Sequence, residues 1–136
     1  MLSTRYDIID RSLDRELDSD NLDYVYQRIR DKYIKGTSCT VVLCGTETYK
    51  RKFVDWEIKA TLDMQHGLIG VFLPENIKLA APDRFCRNAQ SGYALYTYWE
   101  NILDDKLCIQ SLVQKSKKQP PAFIVNYQEK MQRNLS

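Results

Sequence analysis

The run Cys39-Thr40-Val41-Val42-Leu43-Cys44 constrains this chain more than any other segment. It is β-prone and apolar at both odd and even positions, so a strand made from it turns hydrophobic side chains to both faces of a sheet. Strands of that kind belong to parallel sheets covered by helices on each side. A second run of the same character, Leu68-Ile69-Gly70-Val71-Phe72-Leu73, ends at Pro74. Between the two, Val54, Ile58 and Leu62 recur at helical spacing and predict a helix over Lys50 to Asp63. Strand, helix and strand in that order form one βαβ unit, and strands alternating with helices predict a three-layer α/β fold with a mainly parallel sheet.

The remaining segments are read around that unit. Tyr6 to Asp10 is a short strand and Ser12 to Asn21 a polar loop. Leu22, Val25, Ile29 and Tyr33 set a helix over 22–35, capped by Asp20 or Asn21 and ended by Gly36. Pro74 to Gly92 carries little periodicity and reads as a long loop with possible helical turns. Tyr93 to Trp99 alternates aromatic and small residues as a strand does. Ile102, Ile109, Leu112 and Val113 predict a helix from about Asn101 to Lys117, stopped by Pro120-Pro121. Ala122 to Val125 reads as a final strand.

Composition excludes several classes of function. With 136 residues the chain is one domain, and its 43% hydrophobic and 28% charged residues are those of a folded chain. A net charge of +2 gives no field that would mark a nucleic-acid binder. The basic tail (Lys115, Lys117, Lys118, Lys130, Arg133) and the acidic stretch from Asp7 to Asp23 read as solvated surface. Cys39, Cys44, Cys86 and Cys108 have no Cys-x-x-Cys spacing, and His66 is the only histidine, so no zinc site is expected. Without a signal-peptide pattern, free thiols fit a reducing cytoplasm. The apolar runs are too short to span a bilayer.

Sites in open parallel sheets form beyond the carboxyl ends of the strands. Two segments reach that edge: Gly45-Thr46-Glu47-Thr48 and Leu73-Pro74-Glu75-Asn76. The first offers backbone N–H groups and hydroxyls to a polar ligand, but it lacks the P-loop pattern. On the following helix Phe53 and Glu57 are four apart and share a face, with Trp56 beside them. A carboxylate held between two aromatic rings is partly desolvated. Spacing alone equally allows a surface Glu57 paired with Lys50, Arg51 or Lys52, and that is the commoner outcome. The same weighing applies elsewhere. Tyr93, Tyr96, Tyr98 and Trp99 suit a base-stacking wall but more often pack a core or an edge. Asp7 and Asp10 suit ribose contacts but more often turns, His66 suits a helix end, and Asn126 suits ordering of the final loop.

Thr37 to Gly45, then Thr48-Tyr49-Lys50-Arg51-Lys52-Phe53-Val54-Asp55-Trp56-Glu57-Ile58, then Gly67 to Val71, together resemble the TIR-like family, in the branch that includes the Thoeris antiphage-defence TIR proteins. Tyr6-Asp7 and Asp10 to Leu13 resemble the segment around that family's second strand, and Pro120 to Asn126 its closing strand. The resemblance covers most of the chain and implies a single TIR-like domain over 1–136 with a flavodoxin-like sheet. In active members it implies cleavage of NAD between nicotinamide and ribose. The family's catalytic glutamate lies in a Trp-x-x-x-Glu pattern; that register here is Phe53-Val54-Asp55-Trp56-Glu57, so Glu57 matches and Phe53 replaces the tryptophan. Gly45, Thr46, Thr48, Phe53 and Trp56 would then shape the pocket, with NAD as substrate and no cofactor or metal. The product implied is a cyclic ADP-ribose-type signal that reaches a partner effector. The alternative is a catalytically inactive TIR-like scaffold that binds a partner or a nucleotide without turnover.

The family pattern usually opens with a Phe-Ser-rich strand and helix ahead of the Tyr-Asp segment, so by resemblance the domain reads as N-terminally truncated. In a flavodoxin-like order that strand lies at the sheet's centre. Without it, backbone groups there would go unpaired, at about 1–3 kcal/mol each. A strand from a second copy, a rearranged pairing within the chain, or another protein is expected to fill the place. A homo-oligomer follows from the first of these.

Overall fold

The computed structural model describes residues 6–9, 36–105 and 107–136. The predicted helix over 22–35 and the loop before it lie outside these residues. Four strands, β1 (Tyr6–Ile9), β2 (Cys39–Cys44), β3 (Gly67–Phe72) and β4 (Leu95–Tyr98), form one sheet in the order β1-β2-β3-β4. Every pairing is parallel, with Tyr6 opposite Cys39, Cys39 opposite Gly67 and Ile69 opposite Leu95. The central βαβ unit is as the sequence predicts: a 3-10 turn (Thr48–Lys50) leads into α1 (Lys52–Asp63) between β2 and β3.

Alternation along the two central strands explains why both parities are apolar. Val42, Cys44, Leu68 and Phe72 join Val54, Ile58 and Leu62 of α1 in one buried cluster. Cys39, Val41, Ile69 and Val71 join a second cluster around Val113. The sheet is therefore the middle of three layers, a flavodoxin-like α/β arrangement. Burial pushes the Cys39 thiol up to about 11 and the Cys44 thiol up to about 12. These cysteines serve as small core hydrophobes.

β1 pairs directly with β2, so among the described residues no strand stands between them, as in the expected pairing rearranged within the chain. Three other expectations are corrected. The segment from Pro74 to Gly92, read as a long loop with possible helical turns, contains a full eight-residue helix, α2 (Asp83–Gln90). The single helix expected from Asn101 to Lys117 is two, α3 (Trp99–Asp104) and α4 (Leu107–Ser116). Asp105 is the cause. Its backbone is extended (φ −143°, ψ 100°), and its Oδ1 accepts the Leu107 N–H at 3.0 Å, capping a new helix. The expected final strand over Ala122 to Val125 is a 3-10 turn (Pro121–Phe123) followed by extended chain. Pro120 and Pro121 have no N–H for a ladder. The side chain of Asn88 replaces a neighbouring strand: its Nδ2 donates to Val125 O and its Oδ1 accepts Val125 N–H, both at 2.8 Å.

Gly70 shows how closely the layers approach. A Cβ there would stand 2.5 Å from Cζ of Phe85, and Phe85 is itself 1% exposed, with no room to retreat. Gly70→Ala is expected to lower stability by about 1–3 kcal/mol, the usual range for overpacking. Urea unfolding would measure it, and Phe85→Leu in the same chain should return part of the loss.

Candidate functional site

The carboxyl edge of the sheet brings together both segments read as site-forming. At the end of β2 the Gly45 N–H donates to Thr48 Oγ1 at 2.9 Å, and that hydroxyl donates to Leu43 O at 3.2 Å. The Thr48 hydroxyl is thus engaged in holding the turn, while Thr46 is exposed at its tip. The loop after β3 is tied across. Asn76 Nδ2 donates to Cys44 O at 3.1 Å and to Ala80 O at 2.7 Å, and Leu73 N–H donates to Cys44 O at 3.1 Å. Glu75 leans over Gly45: a Cβ on that glycine would lie 3.4 Å from Glu75 Oε1.

Phe53, Trp56 and Glu57 are all buried on α1. Trp56 is fully buried and meets Phe53 edge-on, ring centroids 5.4 Å apart at 77°. Its Nε1 donates to Met131 O at 2.6 Å, so the indole is turned toward the carboxy-terminal segment. The ammonium groups of Lys52 and Lys130 lie 5.9 Å from the Trp56 ring, close enough for cation–π attraction.

Glu57 is 2% exposed. Its height in the fold follows from Thr61, one turn on, whose Oγ1 lies 2.7 Å from Thr40 Oγ1 in β2 and donates to Glu57 O at 2.8 Å. One helical turn is about 5.4 Å and two strand residues about 6.6 Å. Glu57 therefore stands near the level of Val42, inside the carboxyl edge rather than beyond it. Glu57 is thus a buried group and not a surface one.

Sequence reasoning missed the strongest polar cluster. Asp55 Oδ1 and Oδ2 accept Arg84 Nε at 2.8 Å and Nη2 at 3.3 Å. Their side chains are 6% and 1% exposed. Arg84 also donates to Asn126 Oδ1, Gln128 O and Glu129 O, each at 2.9 Å. Asp55 Oδ2 accepts Met131 N–H at 2.8 Å. Asn126 orders the final loop, as its sequence position suggested, by donating also to Asp63 Oδ1 at 2.6 Å. In the sequence Asp55 has the look of an ordinary acid in a helix's first turn, and Arg84 falls in the segment read as a loop.

The aromatic residues divide. Tyr93 is core, its hydroxyl donating to His66 O at 2.6 Å. Trp99 packs on the opposite face, against the Val113 cluster. Tyr96 and Tyr98 are partly exposed and cluster with Phe72 at centroid distances of 6.0–6.4 Å. They rim a groove of about 260 Å³ beside α2.

His66 does meet the end of α1, through its main chain. Its N–H donates to Thr61 O, the Gln65 N–H donates to Leu62 O, and Gln65 is left-handed (φ 57°), which together make a Schellman ending. The His66 ring instead bonds Thr37 Oγ1 at 3.1 Å. Burial lowers His66 below its ordinary 6.5, so the unfolded chain takes up the proton first as pH falls. The stability contributed by the neutral ring is complete above about 6.5 and is lost as pH falls through the lowered folded value. The urea midpoint is expected to fall between pH 7 and 5, and His66→Asn to flatten that slope.

Among the described residues no group of His, Cys, Asp and Glu could hold a metal ion, and no helix is long and apolar enough to cross a membrane. No curated protein and no solved structure matches the chain. The family model described as Thoeris protein ThsB, TIR-like domain, matches residues 2–78. That span is more than half of the chain and holds β1 to β3, the Gly45 turn, α1 and Glu57. The chain belongs to the family of Thoeris ThsB TIR-like domains.

Proposed function

We propose that this chain is an NAD-cleaving TIR-like enzyme of antiviral defence, with Glu57 as its catalytic carboxylate. The observation that supports the reading is a carboxylate 2% exposed on the helix that leaves the carboxyl edge of β2, within the span matched by the family. One carboxylate suffices for the chemistry. The bond from ribose C1′ to the pyridinium nitrogen breaks with its electron pair going to nicotinamide, which leaves neutral and needs no general acid. Positive charge develops on the ribose, and Glu57 stabilises that oxocarbenium-like state. Water then adds at C1′, or a nucleophilic nitrogen of the same molecule closes a ring, giving a cyclic ADP-ribose-type signal for an effector. Gly45, Thr46, Phe53 and Trp56 shape the pocket, and Thr48 does so by holding the turn.

Incubation of the purified protein with NAD, with nicotinamide followed by chromatography, tests this reading. Release by the wild type is the expected result, and the mass of the co-product separates hydrolysis from cyclisation. No release at high protein concentration would overturn it. One observation favours the alternative scaffold: Glu57 stands about a turn inside the edge and is sealed from solvent. On that reading NAD or a partner binds unchanged, and Glu57→Gln has no effect on binding.

A further inference from the structure

We infer that Arg84 is a positioning residue for Glu57, acting through Asp55, and that the segment from Asn126 to Met131 belongs to the same scaffold. The inference rests on the assignment of Glu57 proposed above. Neither Arg84 nor this segment lies within the residues matched by the family, 2–78.

The apolar stripe Val54–Ile58–Leu62 holds α1 on the sheet, but apolar contact is non-directional and sets rotation about the helix axis only loosely. Hydrogen bonds are directional, and those from the later segments to α1 converge on Asp55 and Trp56. The guanidinium of Arg84 has five N–H donors and makes five hydrogen bonds, two to Asp55 and one each to Asn126, Gln128 and Glu129. The Met131 peptide is held at both ends by consecutive residues of α1, its N–H by Asp55 Oδ2 and its carbonyl by Trp56 Nε1.

Asp55 and Glu57 lie about 200° apart around the helix, so this attachment grips the side opposite the carboxylate. The face that carries Glu57 is fixed one turn on by the Thr61–Thr40 contact. Two attachments on opposite sides thus bracket Glu57 and define its angle. The lever is short but sufficient. A side-chain tip about 5–6 Å from the axis moves about 1 Å for a 10° rotation, and a displacement of that size can cost about 10²-fold in rate.

The test compares wild type with Arg84→Lys and Asp55→Asn in the NAD reaction. Folded fraction is measured by circular dichroism, and kcat and KM are read separately. Lysine keeps the charge but not the planar fork. Asparagine keeps the shape and an oxygen for Arg84 Nε. Each folded variant is expected to lose about ten- to hundredfold in kcat per folded molecule, with KM within about twofold of wild type. A structural role alone would lower only the folded fraction. Wild-type kcat in either folded variant would overturn the inference. Unfolding of both would also overturn it, because the pair would then serve the fold and not the angle of Glu57. Absence of nicotinamide release from the wild type itself would instead remove the NAD reading, and this inference with it.

Discussion

Arg84→Met is expected to cost about 3–5 kcal/mol of folding stability, a large part of the roughly 5–15 kcal/mol that holds a domain of this size. The loss comes less from the attraction removed than from the partner left behind. Asp55 is 4% exposed, and without the guanidinium its carboxylate keeps only the Met131 N–H among the contacts described above. The carbonyls of Gln128 and Glu129 lose their donors in the same step. Urea unfolding would show a much lower midpoint, or a chain already unfolded in buffer. Asp55→Leu combined with Arg84→Met should recover part of the loss, since a buried ion pair can often be exchanged for apolar residues of similar volume. Recovery stays partial, because the carboxy-terminal carbonyls remain without those donors. A double variant no better than Arg84→Met would show that the damage arises in that segment and not at Asp55.

Glu57→Gln is expected to lower nicotinamide release by about 10²–10³-fold, the scale seen when one preorganised group facing transition-state charge is removed. The exchange keeps side-chain volume and polarity at a position that is 2% exposed, so the circular dichroism spectrum should match wild type. Only the negative charge is lost, and with it the stabilisation of the cationic ribose. Nicotinamide release by the variant within a few-fold of wild type would remove Glu57 from the reaction and point to a different group in the same cleft.

The parts of this molecule legible in its sequence are those where one rule acts alone. The double-faced strands at Cys39–Cys44 and Gly67–Phe72 and the stripe on α1 lie within a residue or two of where their patterns put them, because burial on the two faces is set by side-chain alternation. Helix α2 was legible only as possible helical turns within a long loop. Its sequence, DRFCRNAQ, gives few apolar residues for a stripe, and two of its three buried residues are Arg84 and Asn88. Their burial depends on chain that comes some 40 residues later, which no local window contains. The run from Ala122 to Val125 failed for the opposite reason. Its β-prone residues are real, but two prolines and the Asn88 amide settle its backbone outside the sheet. For the site, the register of Phe53 and Glu57 was visible, as was the placing of the Gly45 turn and the Leu73 to Asn76 segment at the carboxyl edge. The use of the Thr48 hydroxyl inside the turn was not, because it depends on the geometry of one carbonyl, Leu43.

The distance in sequence between Asp55 and Met131, 76 residues, also sets the order in which the molecule can mature on the ribosome. At about 5–20 residues per second, α1 leaves the exit tunnel about 4–15 seconds before the peptide that will close over it. Arg84, 29 residues after Asp55, is made well within that interval, so what the helix carrying Glu57 lacks longest is the Met131 peptide that bonds Asp55 and Trp56. Long-range closure of this kind is slow compared with helix formation. Residues translated much later therefore complete the environment of a helix made early, and a chain interrupted between them would carry its glutamate without the frame that holds it.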